Sequence, residues 1–287
     1  MNFNNILVCG SSHVAFNIAQ YIYAASLPVV VLECKISSAS TMEYLCRKYN
    51  IPFQTLHREE MTRVLVQYAR EPVLIINAVN YYIFPPEIVE NPNAVLINYH
   101  NAILPAHRGM NSEAWQIYEM DDVSGITWHY IVNELDAGPI ITQEKIVLGQ
   151  TVTSLELLKK HNQLAFQSFI GFFDDLLKSN IQSFPQSEPQ NKTIKRAKDI
   201  PGNGILDTTW SASKIYAFLR SMDYGPLHTL GRPALFHNEK RYVWKKYGYR
   251  STSYNREENQ VTINDNFIEI KCNEAELLLY KPQIAVE

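Results

Sequence analysis

An amide, an imidazole and a carboxylate, Asn98, His100 and Asp136, fall within one short stretch of the chain. Ala94-Val-Leu-Ile97 just before them is apolar and β-rich, and it reads as a buried strand. Asn98 and His100 stand where that strand ends, two residues apart, so extended backbone projects both side chains to the same side. Open α/β sheets hold their ligands at the carboxyl ends of strands. Leu104-Pro105 ends the extended stretch and Arg108-Gly109 marks a turn. Residues 126–131 read as another strand, and Asp136 lies in the loop before the strand Ile140-Ile141. A hydrogen-bond donor, a ring that exchanges protons near neutral pH and an anionic acceptor are thus offered from neighbouring loops. Taken singly, Asn-x-His or Asp-Ala-Gly-Pro is more often a plain turn. That reading does not explain why the two occur together, in order, inside an α/β pattern.

The pattern starts at Asn5-Ile-Leu-Val-Cys-Gly10, a strand ending in glycine. Ser11 or Ser12 can cap the next helix, whose apolar face is Val14, Ala15, Ile18, Ala19 and Ile22. This turn lacks GxGxxG, and a structural β–α turn fits it as well as a phosphate-binding one. A strand at 29–32, a helix at 41–49, a strand from Pro52-Phe53, a helix at 59–68 and a buried strand at 73–77 follow. Pro85-Pro86 then starts a short helix, and Ser112 caps another at 113–119. Residues 153–178 form a long amphipathic helix with Leu155, Leu158, Leu164, Phe169 and Phe173 inward. The fold class is α/β: a Rossmann-like open, mostly parallel sheet with helices on both faces, plus a small C-terminal β-rich module. A polar, proline-containing stretch at 183–192 marks a boundary. One helix carries Ile215, Phe218, Leu219 and Met222, and short strands run from Pro233, with a hairpin turn at Asn264-Asp-Asn266. The expected division is 1–182, a linker and helix at 183–232, and the module at 233–287.

Hydrophobic content of 46%, charged content of 19% and a net charge of -3 describe an ordinary globular chain with no electrostatic footprint for nucleic acid. Cys9, Cys34, Cys46 and Cys272 are scattered without metal-ligand spacing and read as buried free thiols of a reducing compartment. No HExxH-like pair points to a metal, and none is expected. With no signal peptide and no membrane-length apolar run, the expected location is cytoplasmic.

Asn98-x-His100-x-x-x-Leu104-Pro105-x-x-x-Gly109, followed by Leu135-Asp136-x-Gly138, resembles the folate-dependent formyltransferase family, which includes glycinamide-ribonucleotide, methionyl-tRNA and sugar-nucleotide formyltransferases. The resemblance covers roughly residues 1–180. It departs at Asn101-Ala102, where many members carry Pro-Ser or Ala-Ser. It implies transfer of a formyl group from N10-formyltetrahydrofolate to an amine, with Asn98, His100 and Asp136 as the catalytic residues, and residues 1–182 as the catalytic domain. Asn98 would donate to the oxygen that becomes negative as the amine attacks. His100 would stabilise that charge and carry the proton, and Asp136 would hold His100 and favour its charged form. The resemblance also implies a pterin pocket walled by Tyr82, Ile83 and Phe84 on one loop and by Val132 to Leu135 on the other; Ile83 and Phe84 packing beneath the short helix is the alternative.

Arg108, Asn111 and Glu113, just past the catalytic loop, are candidates to meet the amine. His107 is a weaker candidate, and His129, alternating with Thr127 along a strand, reads as a satisfied structural histidine. In 233–287 eight Lys and Arg are matched by eight Asp and Glu, which argues against a tRNA backbone clamp. The expected acceptor is a small-molecule primary amine, an amino-sugar nucleotide first and an aminoacyl or amino-acid derivative of peptide biosynthesis second. A formyl-folate hydrolase and a non-catalytic folate or nucleotide sensor are the other readings; the intact triad weighs against the sensor. The expected assembly is a homodimer, with no nucleic-acid or membrane partner.

Overall fold

The computed structural model describes residues 3–34, 40–188 and 193–285. Seven strands form one sheet: β1 (Asn5–Cys9), β2 (Val29–Cys34), β3 (Phe53–Leu56), β4 (Val73–Ala78), β5 (Ala94–His100), β6 (Val123–Tyr130) and β7 (Ile140–Val147), in the order β3-β2-β1-β4-β5-β6-β7. The first five are parallel and β6 runs antiparallel to β5. The crossovers carry α1 (His13–Ala24), α2 (Thr41–Lys48), α3 (Arg58–Tyr68) and α4 (Pro86–Val89); α5 (Ser112–Glu119) and α6 (Ser154–Leu177) follow. Ser12 and Ser40 cap α1 and α2 by accepting from the Ala15 and Glu43 amides. This is the mostly parallel, doubly covered sheet expected from the sequence.

β1, β2 and β4 are apolar runs because both their faces are covered, whereas β3 and β7 at the two edges carry exposed polar residues. On β1, Ile6 and Val8 enter one core with α1 and the phenylalanines of α6, while Leu7 and Cys9 enter the other, with Met61 and Leu65 of α3 and Ile88 of α4. On β5, Ile97 and Tyr99 join the first core and Leu96 the second. Asn98 and His100, two and four residues past Leu96, therefore continue the second face beyond the point where apolar packing stops. The strand runs through His100 instead of ending at Ile97, so both side chains are held by sheet backbone.

The chain divides into two compact units, Met1–Gly109 with Gly125–Ile146 and Lys159–Thr193, and Met110–Ser124 with Val147–Leu158 and Ile194–Glu287. The division interleaves along the sequence. Ala114 and Tyr118 of α5 pack with Leu206, Phe218 and Leu219 in the core of the second unit, so α5 belongs there although it lies between two strands of the large sheet in sequence. That unit also holds β8 (Ile205–Leu206), α7 (Ala212–Ser221), β9 (Ala234–His237), β10 (Lys240–Val243), β11 (Lys246–Ser251), β12 (Gln260–Ile263), β13 (Phe267–Cys272), β14 (Ala275–Tyr280) and β15 (Gln283–Ile284). They build two four-stranded sheets, β15-β10-β9-β8 and β11-β14-β13-β12. The hairpin turn at Asn264 is present: its Oδ1 accepts from the Asn266 and Phe267 amides. The last four residues of the polar boundary stretch, 189–192, lie outside the described residues. The four cysteines are free, and burial pushes the Cys46 and Cys272 thiols up to about 11. Among the described residues no helix is long and apolar enough to cross a membrane.

Candidate active site

Three polar side chains cross the sheet in one row. Asn77 at the end of β4 is the register partner of Asn98 on β5, and Asn98 is the register partner of His129 on β6. Asn77 Nδ2 lies 2.7 Å from Asn98 Oδ1, and Asn98 Nδ2 lies 3.0 Å from His129 Nε2. A backbone carbonyl fixes the direction of every bond. His129 Nδ1 is 2.8 Å from the Tyr130 oxygen. That oxygen can only accept, so Nδ1 carries the hydrogen. Burial, the largest influence on this ring, pushes His129 down to about 4 against the opposing pull of Asp136. A neutral ring protonated at Nδ1 leaves Nε2 as an acceptor, so Asn98 presents its NH2 to His129 and its oxygen to Asn77.

His100 occupies the next position along the same face. Its Nε2 donates to the His107 carbonyl at 2.9 Å, and its Nδ1 faces Asp136 Oδ2 at 3.7 Å. The other carboxylate oxygen, Oδ1, stands 3.7 Å from His129 Nε2. These carboxylate distances are electrostatic contacts, longer than hydrogen bonds. Asn98, His100, His129 and Asp136 are all buried.

The loops are held for this purpose. Thr127, the register partner of His100, donates to the Ala102 carbonyl and accepts from the Leu104 amide, while Gln143 Nε2 donates to the Leu104 carbonyl. This pins the loop that brings the His107 carbonyl back over His100. Asp136 adopts a left-handed backbone at φ +52°, and its Oδ2 accepts from the Gly109 amide at 2.9 Å, a conformation that a short polar side chain tolerates. Gln186 Nε2 donates to the carbonyls of both Asp136 and Gly138. At Gly138 a Cβ would lie 1.8 Å from the Tyr130 oxygen. Only glycine allows this loop so close to β6.

The structure brings the three predicted catalytic residues together and adds two that the sequence does not single out for chemistry, Asn77 and His129. His129 is buried and satisfied as a structural histidine would be, yet it is bonded to Asn98 and faces Asp136. The predicted pterin walls divide. Ile83 is 65% exposed, and Val132 and Leu135 are also exposed. Tyr82 and Phe84 are instead buried in the core beneath α3 and α4, edge to face with one another, and the Tyr82 hydroxyl is bonded to Thr62. They anchor the loop that presents Ile83.

The amine-contacting candidates also differ in placement. Arg108 is nearly buried, with Nη1 ion-paired to Glu134 at 2.7 Å and Nη2 3.4 Å from Gln186, so it braces the Asp136 loop. Asn111 and Glu113 belong to the second unit. Asn111, in left-handed conformation, is the cap position of α5, and Ser112, read from the sequence as the cap, is its first residue. Glu113 is buried and accepts from the Tyr224 hydroxyl at 2.6 Å.

The family model described as formyl transferase matches residues 13–171. Over 156 residues the chain is 29% identical to GDP-perosamine N-formyltransferase of Brucella melitensis, covering 54% of this chain and 59% of that protein. Over 200 residues it is 28% identical to methionyl-tRNA formyltransferase of Bacillus mycoides, covering 67% and 61%. The matches thus span about three-fifths of these curated relatives. Two solved structures share the fold. WlaRD, a sugar 3N-formyl transferase crystallised in the presence of dTDP and 5-N-formyl-THF, matches with a TM-score of 0.78 over 98% of both chains at 18% identity. The N-formyltransferase from Helicobacter canadensis, in complex with folinic acid and dTDP-3-aminofucose, matches with a TM-score of 0.77 over 98% and 100% at 18% identity. With the Asn-x-His strand end, the Asp loop that closes on it and a family match across more than half its length, this chain belongs to the formyl transferase family.

Proposed function

We propose that the chain transfers a formyl group from N10-formyltetrahydrofolate to the primary amine of a small molecule, an amino-sugar nucleotide. The observation that carries this is the convergence of a buried amide donor, Asn98, a histidine, His100, and a carboxylate, Asp136, at the end of β5. With its oxygen committed to Asn77 and one amide hydrogen to His129, Asn98 keeps its second N–H for a ligand oxygen. That N–H would meet the formyl oxygen as the amine adds and negative charge develops there. Such a donor is worth about 10²–10³ in rate. His100, whose Nε2 already carries the hydrogen given to the His107 carbonyl, would take the proton the amine loses at Nδ1 and return it from there to the departing folate nitrogen, a contribution of about 10²–10⁴. Asp136, facing Nδ1, would stabilise the ring while it carries that proton. No covalent enzyme intermediate is needed. Ile83, Val132 and Leu135 offer apolar walls suited to a flat pterin.

The amino-sugar reading is supported by the similarity to the perosamine enzyme and by the charge-balanced C-terminal stretch, which offers no phosphate-backbone clamp. Its setting would be the cytoplasm, where free thiols persist, and its assembly a homodimer. The test is incubation with N10-formyltetrahydrofolate and, separately, GDP-perosamine, dTDP-3-aminofucose and methionyl-tRNA, with products read by mass spectrometry. Formylation of an amino sugar supports the reading. Formylation of methionyl-tRNA alone, or of none of the three, contradicts it.

A further inference from the structure

Asn77 belongs to no motif, yet it stands one residue before the end of β4, beside the reacting amide. Its Nδ2 donates to Asn98 Oδ1 at 2.7 Å, while its own Oδ1 is buried with no hydrogen-bond partner among the described residues. A bare buried acceptor is costly, and an apolar residue would pack there without it. Fold stability alone therefore does not account for an asparagine at this position. What Asn77 supplies is a donor aimed at the oxygen of Asn98.

An amide can sit either way round, and only one way serves a developing oxyanion. In the other, Asn98 would turn its oxygen toward His129 Nε2 and toward the reacting oxygen, acceptor against acceptor. His129 opposes that flip from one side through its Nε2 lone pair, fixed by the Tyr130 carbonyl. Asn77 opposes it from the other.

We propose that Asn77 is a positioning residue for formyl transfer: its side-chain N–H fixes the orientation in which Asn98 presents a donor to the reacting oxygen. This rests on the proposed formyl-transfer reading, but the orientation of Asn98 is measurable without turnover.

Asn77→Asp separates the roles because its donor depends on pH. Ionised, the new carboxylate accepts from Asn98 and turns the amide round; protonated, it donates to Asn98 Oδ1 as Asn77 does. The charged and titratable groups around this row are Cys9, the register partner of Asn77 on β1, with His129, Asp136, His100 and Arg108, all shared with the wild type, so activity is read as the ratio of variant to wild type at each pH. At pH 8 the ratio should fall by about 10², the worth of an oxyanion donor, with affinity for 5-formyltetrahydrofolate retained. It should rise as pH falls toward the carboxyl range, which burial moves upward. Asn77→Leu, which removes the donor without adding an acceptor, should lose less at pH 8 than the nearly isosteric Asn77→Asp. Added to Asn98→Ala, Asn77→Leu should cost nothing further. If Asn77→Asp does not fold, that double variant carries the test alone. A ratio flat with pH, a larger loss in Asn77→Leu than in Asn77→Asp, or additive loss in the double variant would overturn the role. Independently of turnover, a through-bond 15N coupling between Asn98 Nδ2 and His129 Nε2 should be present in the wild type and lost in Asn77→Asp at pH 8. Wild-type inactivity on every amine would sink the formyl-transfer reading, while absence of that coupling in the wild type would sink this one.

Discussion

Asn98 and His129 are cross-strand partners whose side chains meet at 3.0 Å, and the direction of that bond is set by the Tyr130 carbonyl on the far side of the ring. The proposed oxyanion donor, Asn98, is thus aimed by backbone through a histidine kept neutral by burial. Adding a proton to that ring removes the acceptor that Asn98 relies on.

Acid should therefore act on stability through this ring. Burial pushes His129 down to about 4 and His161 to about 3, both from an ordinary value of 6.5. Between those values the unfolded chain binds the extra protons, so stability is held above pH 6.5 and is lost as pH falls from there through about 4. The His129 share is on the order of 3 kcal/mol. Thermal unfolding followed from pH 8 to 4 should show a shallower acid limb for His129→Gln than for the wild type. Parallel limbs would mean that this ring does not titrate as described.

The Asp136 loop should not tolerate a methyl group at Gly138. A Cβ there overlaps the Tyr130 carbonyl, and relief requires moving the loop that places Asp136. Gly138→Ala should cost about 1–3 kcal/mol in denaturant unfolding, and turnover should fall further than stability explains.

The proposed folate walls can be told from the core behind them by two substitutions. Leu135 stands at an exposed position. Leu135→Ala should weaken 5-formyltetrahydrofolate binding by roughly 1 kcal/mol, with little change in melting temperature. Tyr82→Phe loses the bond to Thr62. It should cost about 1 kcal/mol of stability and leave folate affinity alone. The reverse pattern would place Tyr82 in the pocket.

Much of this is legible in the sequence because the signals are local. Continuous apolar strands, Ser caps and the Pro85-Pro86 start fix the α/β layout, and the Asn-x-His spacing fixes a shared face. Asn77 and His129 escape because their meaning depends on register: nothing in the sequence says that positions 77, 98 and 129 line up across three strands. Arg108 reads as a candidate to meet the amine because its partner, Glu134, arrives from another loop. Tyr82 and Phe84 suit a flat ligand by shape, whereas their burial under α3 and α4 is a tertiary outcome that an aromatic pair cannot announce. Glu113 reads as facing an amine, but α5 packs against α7, and that carboxylate goes to Tyr224.

The most direct test of the account is a double-mutant cycle on the formyl-transfer turnover of His100→Ala and Asp136→Asn, with Asn98→Ala alongside and folate affinity measured separately. If the three groups act on one transition state, each single change should cost at least about 10² in turnover while folate still binds. The His100→Ala, Asp136→Asn double variant should be little worse than His100→Ala alone, because Asp136 works through the ring. Near-normal turnover in Asp136→Asn, or full additivity in the double variant, would contradict it.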